Sequence, residues 1–196
     1  MRAILFVVTL FSAVGASAVG SDKPIALTGR RAAARAARQE HVELLLRQAP
    51  TGECDFVAAA AAVRRLADEA VAAGDHAAAV RWHEQWVAAV RKFDTKANAA
   101  LAMGTGSVGL VAHRAKAARI EAEVDLIRRR GGGSASLIEL LKERVALCAE
   151  SEKLAAKVMA VSGHGLKGDY LEAKVARLDA EAELASAEAD AKKGGK

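Results

Sequence analysis

The sequence predicts an all-α protein of antiparallel helical hairpins, with about six helices in three hairpin-like repeats that form an elongated bundle or coiled coil. The 196 residues are 52% hydrophobic but only 4% aromatic, and much of the apolar share is alanine, which favours closely packed helices. Long segments with apolar residues three and four apart alternate with glycine-containing breaks. One nonapeptide recurs 58 residues later (176 − 118), which indicates a repeated supersecondary unit.

The amino terminus has the pattern of a secretory signal peptide, residues 1–18. Arg2 precedes a short apolar run from Ala3 to Val14, and Ala16-Ser17-Ala18 supplies the small residues of a cleavage site after Ala18. The apolar run is short for a helix that spans a bilayer of about 30 Å. We therefore expect a periplasmic or secreted protein without a membrane-spanning segment after cleavage, the alternative being an uncleaved membrane anchor.

Beyond the signal peptide the sequence predicts a flexible lead-in at 19–30, a helical-hairpin domain at 31–190 and a disordered basic tail at 191–196. Hydrophobic periodicity predicts six helices in the domain. They are Arg30–Arg47, a second helix from about Asp55, His76–Met103, a fourth through Leu110 to Arg130, Ser136–Val161, and a sixth after Asp169. Asp75 is expected to cap the third helix, and Ser136 with Glu139 has the spacing of a capping box.

The internal repeat is clearest where Ala118–Leu126 (ARIEAEVDL) aligns with Ala176–Leu184 (ARLDAEAEL), because eight of the nine positions agree in kind. A fainter third copy begins at Cys54-Asp55. Three helical hairpins are the natural interpretation. The alternative is that part of the similarity reflects a shared alanine-rich composition.

The sixth helix follows a turn with glycines at 163, 165 and 168, after which Asp169 is placed to cap it. Its apolar residues recur at spacings of four and three, which puts them along one stripe of the helix. We call this stripe the 171–185 seam, and it consists of Leu171, Val175, Leu178, Ala182 and Ala185. Charged residues lie mostly off the seam, so the pattern predicts a helix that packs against other helices.

This turn and helix resemble the periplasmic hairpin tips of the TolC-like outer-membrane efflux protein family. The matching residues are Gly165-Leu166, Asp169, Leu171-Glu172-Ala173 and Ala180-Glu181. The resemblance covers about one hairpin well, and it implies a short relative that has the helical hairpins but lacks the membrane β-strands, for which the mature chain has no alternating ten-residue segments. It further implies that tips near Gly52, Gly106 and Gly165 dock a periplasmic adaptor in a membrane-associated export complex. The implied partner-binding residues are Gly165, Leu166, Asp169 and Leu171.

Two other motifs have simpler interpretations than their spacing suggests. The glycines at 104, 106 and 109 have the spacing of a dinucleotide-binding motif, but an alanine-rich helix precedes them instead of a strand, so a hairpin turn is favoured. Arg128-Arg129-Arg130 is a candidate phosphate contact. No aromatic residue is interleaved with it, and cations in a last helical turn complement the helix dipole, so we expect no nucleic-acid partner.

His76, His83 and Glu84 lie on neighbouring helical turns and are candidate metal ligands, with Asp75 beside them. His83 falls on an apolar stripe and has no carboxylate at ligand-pair spacing, so a packed histidine is the favoured interpretation and no metal is expected.

Cys54 and Cys148 share a predicted oxidising compartment, which raises the question of a disulfide. Helix geometry puts Cys148 roughly 21 Å from a hairpin tip and Cys54 at one, beyond the reach of a bridge. We expect Cys148 to be buried and Cys54 to be partly exposed and available for pairing between molecules.

The sequence shows no nucleophile with its base and no carboxylate pair in an apolar context, so we expect neither an enzyme nor a cofactor. The favoured function is a structural or protein-interaction module with a protein partner or self-association. One alternative is an efflux-associated component that docks a periplasmic adaptor. The other is a small metal- or ligand-binding helical bundle.

Overall fold

The computed structural model of the chain describes residues 23–104, 108–162 and 167–194, and in these ranges it contains six α-helices and no strand. The helices are α1 (Lys23–Gln48), α2 (Phe56–Ala72), α3 (His76–Ala102), α4 (Val108–Arg130), α5 (Ser134–Ser162) and α6 (Lys167–Gly194). A short 3₁₀ turn at Ala49–Thr51 follows α1. The predicted all-α fold with about six helices is confirmed.

The chain divides into two compact units, Met1–Ala34 and Arg35–Lys196. In the first unit the described residues are the amino-terminal part of α1, which begins at Lys23, inside the segment predicted as a flexible lead-in. The predicted signal peptide, residues 1–18, lies outside the described residues. The second unit holds the remainder of α1 and all of α2 to α6.

In the second unit each helix from α2 onward packs against the next one in the chain. The most extensive pairings are α3 with α4 and α5 with α6, which form two antiparallel hairpins. α1 contributes Val42 to the core that α2 and α3 share, with Leu45 and Leu46 packed at its edge. The 3₁₀ turn after α1 packs against α3.

The largest core cluster lies between α2 and α3, where Val63 and Leu66 meet Trp86 and Val90. Trp86 is fully buried and Trp82 packs against the same cluster. The two tryptophans therefore serve as core residues. Among the described helices, none combines the length and the apolar character that crossing a membrane requires.

The turn before α2 is built around Gly52 and the ring of Phe93. Gly52 has φ of +76°, and a β-carbon there would lie 2.6 Å from Phe93 Cε2. Phe93 in turn stacks on Phe56 with ring centroids 4.8 Å apart. Glycine is thus required twice, by the backbone conformation and by the close approach of the ring.

The predicted cap at Asp75 is confirmed, and Asp55, predicted only as the approximate start of the second helix, is also a cap. Asp55 accepts hydrogen bonds from the amides of Val57 and Ala58 at the start of α2, at 2.9 and 3.2 Å. Asp75 accepts one from the amide of Ala78 at the start of α3, at 2.8 Å. In both places an Asx side chain satisfies donors that the first helical turn leaves unpaired.

The predicted starts of α5 and α6 are too late, by two and three residues. α5 begins at Ser134, so Ser136 lies within its first turn, and Glu139 accepts a hydrogen bond from Lys142 instead of closing a capping box. α6 begins at Lys167, so Asp169 is a first-turn residue and not a cap. Its charge is still favourable there because it complements the helix dipole. α6 continues to Gly194, into the segment predicted as a disordered tail.

Candidate functional site

The 171–185 seam lies on the exposed surface of α6. Leu171, Val175 and Leu178 are 46%, 55% and 47% exposed, and Ala182 and Ala185 are exposed as well. α6 packs in the bundle through a different stripe, on which Ala180 is buried and Leu184 and Ala187 are half-buried. α6 is therefore apolar on two sides, and only one of them is covered.

The equivalent stripe of α4 is covered. The residues 58 positions before the seam are His113, Ala117, Ile120, Val124 and Ile127. Ile120 and Val124 are buried and form one cluster with Leu141 and Leu147 of α5. His113 Nε2 lies 2.6 Å from Ser151 Oγ, also on α5. The stripe of α4 thus packs against the next helix in the chain.

The apolar stripe of α2 is likewise covered by the next helix in the chain. Its members are buried or half-buried, most of them against α3: Phe56, Ala59, Val63, Leu66 and Ala70. In the described chain the stripe of α2 is covered by α3 and that of α4 by α5. α6 is the last helix that the structure describes, and its seam is the one stripe of this series that no described helix covers.

Charged residues border the seam in an ordered way. With Val175 and Ala182 at heptad position a and Leu171, Leu178 and Ala185 at position d, Glu172 and Asp179 occupy position e. Lys167, Lys174 and Glu181 occupy position g. All five charged side chains are exposed. Over residues 167–179, one flank of the seam is therefore acidic and the other is basic.

The predicted hairpin-tip residues fall only partly in the described chain. Gly165 and Leu166 lie outside the described residues. Asp169 and Leu171 are both exposed in the first turns of α6. Leu171 is also the first member of the 171–185 seam, so one residue belongs to both the predicted tip and the exposed stripe.

The histidines of the metal hypothesis are only partly brought together. His76 and His83 line one cleft, together with residues of α2 and α4. Glu84 instead pairs with Arg130, and Asp75 caps α3. Among the described residues there is no group of three or more His, Cys, Asp or Glu side chains placed to hold a metal ion.

The three arginines at the end of α4 reach three different helices, which the sequence did not reveal. Arg128 pairs with Glu183 of α6, Arg129 with Asp68 of α2 and Arg130 with Glu84 of α3. Consecutive residues on a helix point about 100° apart, so a run of three can serve three neighbours. The motif predicted to complement the helix dipole therefore also ties α4 to α2, α3 and α6.

The glycine motif at 104–109 lies partly outside the described residues. Gly104, with φ of +70°, follows the end of α3, and Gly109 lies in the first turn of α4. The helix before the motif and the helix after it agree with the predicted hairpin turn.

The prediction for the two cysteines is wrong. Cys54 is buried and Cys148 is half-buried, the reverse of what was expected. Cys54 directly precedes the α2 cap, where it joins the core cluster of α2 and α3. Burial raises the pKa of both thiols, which keeps them protonated and unreactive near neutral pH.

The chain was compared with protein-family models, with curated proteins and with solved structures, and none of them matches it.

Proposed function

We propose that this protein is a helical interaction module that self-associates through the 171–185 seam of α6. The observation that carries the proposal is the contrast between repeats. The stripe of α2 and the stripe of α4 are each covered by the next helix, whereas the equivalent stripe of α6 exposes Leu171, Val175 and Leu178. An apolar stripe of coiled-coil spacing is stabilised when another helix covers it.

The charges that flank the seam favour a second copy of α6, in parallel orientation, as the helix that covers the seam. In a parallel pair, position g of one helix faces position e of the other five residues further on. Lys167 would then face Glu172 of the second copy, and Lys174 would face Asp179. In an antiparallel pair, position e faces position e and position g faces position g, so Glu172 would face Asp179 while Lys174 faces Glu181. The parallel pair thus brings both lysines against carboxylates without opposing two carboxylates.

Light scattering of the purified protein at several concentrations, in reductant, tests the proposal. We expect the weight-average mass to rise from monomer towards dimer with concentration. Leu178→Asp should move this transition to at least about tenfold higher concentration, because it places a charge in the centre of the covered stripe. Leu101→Asp is the matched control, since Leu101 is also 47% exposed but lies at the end of α3.

A disulfide trap tests the orientation. In a background with Cys54→Ala and Cys148→Ala, Leu178→Cys places one thiol at a central d position, where the two copies of a parallel pair face each other. We expect rapid formation of a covalent dimer on mild oxidation, and none from Leu101→Cys. A mass that stays monomeric at all concentrations, or a dimer that Leu178→Asp leaves intact, would overturn the proposal.

A further inference from the structure

His83 is buried in the middle of the bundle without a hydrogen-bond partner among the described residues. Its side chain is 1% exposed, and neither Nδ1 nor Nε2 has a donor or acceptor within reach. Buried polar groups are nearly always paired, and an unpaired one costs free energy. An orphaned imidazole in a native core therefore calls for a partner from outside the described chain.

The imidazole of His83 lines a cleft of about 410 Å³ between α2, α3 and α4. The other lining residues are Arg64, Asp68 and Val71 of α2, His76 of α3, and Asp125, Arg128 and Arg129 of α4. We call this the His83 cleft. Because the cleft opens to solvent and ends at an orphaned imidazole, it has the form of a small-ligand site.

Two ion pairs join α2 to α4 across the cleft, one with its arginine on α2 and the other with its arginine on α4. Arg64 Nε donates to Asp125 Oδ2 at 2.6 Å, and Arg129 Nη2 donates to Asp68 Oδ1, also at 2.6 Å. Arg128 pairs through Nη2 with Glu183. In the described chain each guanidinium thus contacts its carboxylate through a single nitrogen, so each keeps further N–H donors for a ligand.

The charges and the imidazole together define the ligand. The lining carries three arginines, each paired with one carboxylate, and their remaining N–H donors are arranged in forks, the geometry that suits carboxylate and phosphate oxygens. Burial lowers the pKa of the His83 imidazole. Asp125 and Asp68 act against this and raise the pKa of His83, whereas the charges of Arg129 and Arg64 lower it further. A neutral imidazole offers one N–H donor and one acceptor.

We propose that the His83 cleft binds a small oxyanion that carries its own O–H group, either a hydrogen phosphate or a hydroxycarboxylate. The oxyanion contacts the free N–H groups of Arg64, Arg128 and Arg129. The ligand donates its O–H to one ring nitrogen of the neutral His83, which gives that orphaned atom a partner.

Nuclear magnetic resonance of the histidine rings tests the proposal directly. The full chain is titrated at pH 7 with inorganic phosphate, and separately with lactate, up to about 20 mM at constant ionic strength, since millimolar affinity suffices for a first ligand. His83 signals are assigned by their loss in His83→Gln. We expect a saturable shift of the His83 signals, and the ligand that gives the lower Kd identifies the class. Succinate, which has two carboxylates but no hydroxyl, should bind at least about tenfold more weakly.

Two variants show whether the cleft arginines carry the binding. Arg128→Gln and Arg129→Gln should each raise the Kd by about tenfold or more, because each removes charge-assisted donors. Arg81→Gln is the matched control, since Arg81 is an exposed arginine of α3 that does not line the cleft. The absence of a saturable His83 shift with either ligand would overturn the proposal, as would equal Kd values in the Arg81 and Arg129 variants.

Discussion

Arg119 Nε on α4 donates to Asp94 Oδ2 on α3 at 2.9 Å, and the same contact recurs one repeat later. Arg177 on α6 donates through Nε to Glu152 on α5, and both the arginine and its acceptor lie 58 residues after their counterparts. Each arginine also pairs with a glutamate four residues on. The repeat therefore extends from the matching nonapeptides to a shared geometry between the two helices of each hairpin.

The first prediction concerns the buried network around Arg119. Its guanidinium contacts Asp94, Glu123 and Glu143, and its side chain is largely covered. Arg119→Gln should lower the free energy of unfolding by about 3 kcal/mol, because it leaves buried carboxylates without their cation. Urea unfolding followed by circular dichroism measures the change.

Arg91→Gln is the control for this network. Arg91 pairs with the same Glu123 at 2.6 Å, but most of its side chain is in solvent. Its loss should cost less than about 1 kcal/mol, as is usual for an exposed ion pair. Equal costs for the two variants would show that burial of the network does not govern its contribution.

The second prediction compares equivalent positions of the two repeats. Ile120 is 0% exposed, whereas Leu178, 58 residues later, is 47% exposed. Ile120→Ala should cost about 3 kcal/mol because it leaves a cavity against α5. At a concentration where the protein is monomeric, Leu178→Ala should cost less than about 1 kcal/mol, since little apolar area is lost from the core.

Of the two alanine variants, Ile120→Ala should have the larger effect on monomer stability and Leu178→Ala the larger effect on self-association. Leu178→Ala should weaken the dimer seen by light scattering, and Ile120→Ala should leave it unchanged under conditions where the variant is folded. A large loss of monomer stability from Leu178→Ala would mean that the seam is covered within the chain.

The third prediction separates the two reasons for glycine at position 52. Gly52 and Gly74 both have positive φ, +76° and +81°, but a β-carbon at Gly74 would meet no atom within 4 Å. Gly74→Ala should therefore cost only the left-handed conformation, about 1 kcal/mol. Gly52→Ala should cost about 2 kcal/mol more, because it also displaces the Phe93 ring.

Thermal unfolding of the two glycine variants measures the difference. In Gly52→Ala the aromatic circular dichroism should also change, since Phe93 stacks on Phe56 and Phe56 lies beside Trp86. Equal melting temperatures for the two variants would contradict the close contact between Gly52 and Phe93.

The sequence predicts the helices well, because hydrophobic periodicity and aspartate caps are local signals. It misplaces the start of α5 because Gly133 is followed by two serines, Ser134 and Ser136, either of which suits a helix start. The acidic residues Asp94 and Glu152 lie one helix upstream of the matching nonapeptides and are related by the same offset of 58 residues.

The candidate sites depend on tertiary arrangement, which local patterns do not contain. The periodicity identifies the 171–185 seam as apolar, but whether another helix covers it is decided by the packing of the whole bundle. The His83 cleft joins residues of three helices, and its ion pairs link positions 61 apart in the chain. Because no spacing in the sequence is specific to this arrangement, the cleft can be identified only from the folded structure.

The last prediction uses the pH dependence of stability. Burial lowers the pKa of His83 in the folded chain, with Arg64 and Arg129 acting in the same direction and Asp68 and Asp125 opposing it. Because the unfolded chain then binds the proton more readily, the free energy of unfolding is greatest above the unfolded pKa of about 6.5 and falls as the pH drops below that value. His83→Leu removes the titrating group, so the wild type should lose stability relative to this variant on acidification. Urea unfolding of both proteins from pH 8 to pH 5 measures this difference, and a difference that is constant over the range would show that His83 has the same proton affinity in the folded and unfolded chains.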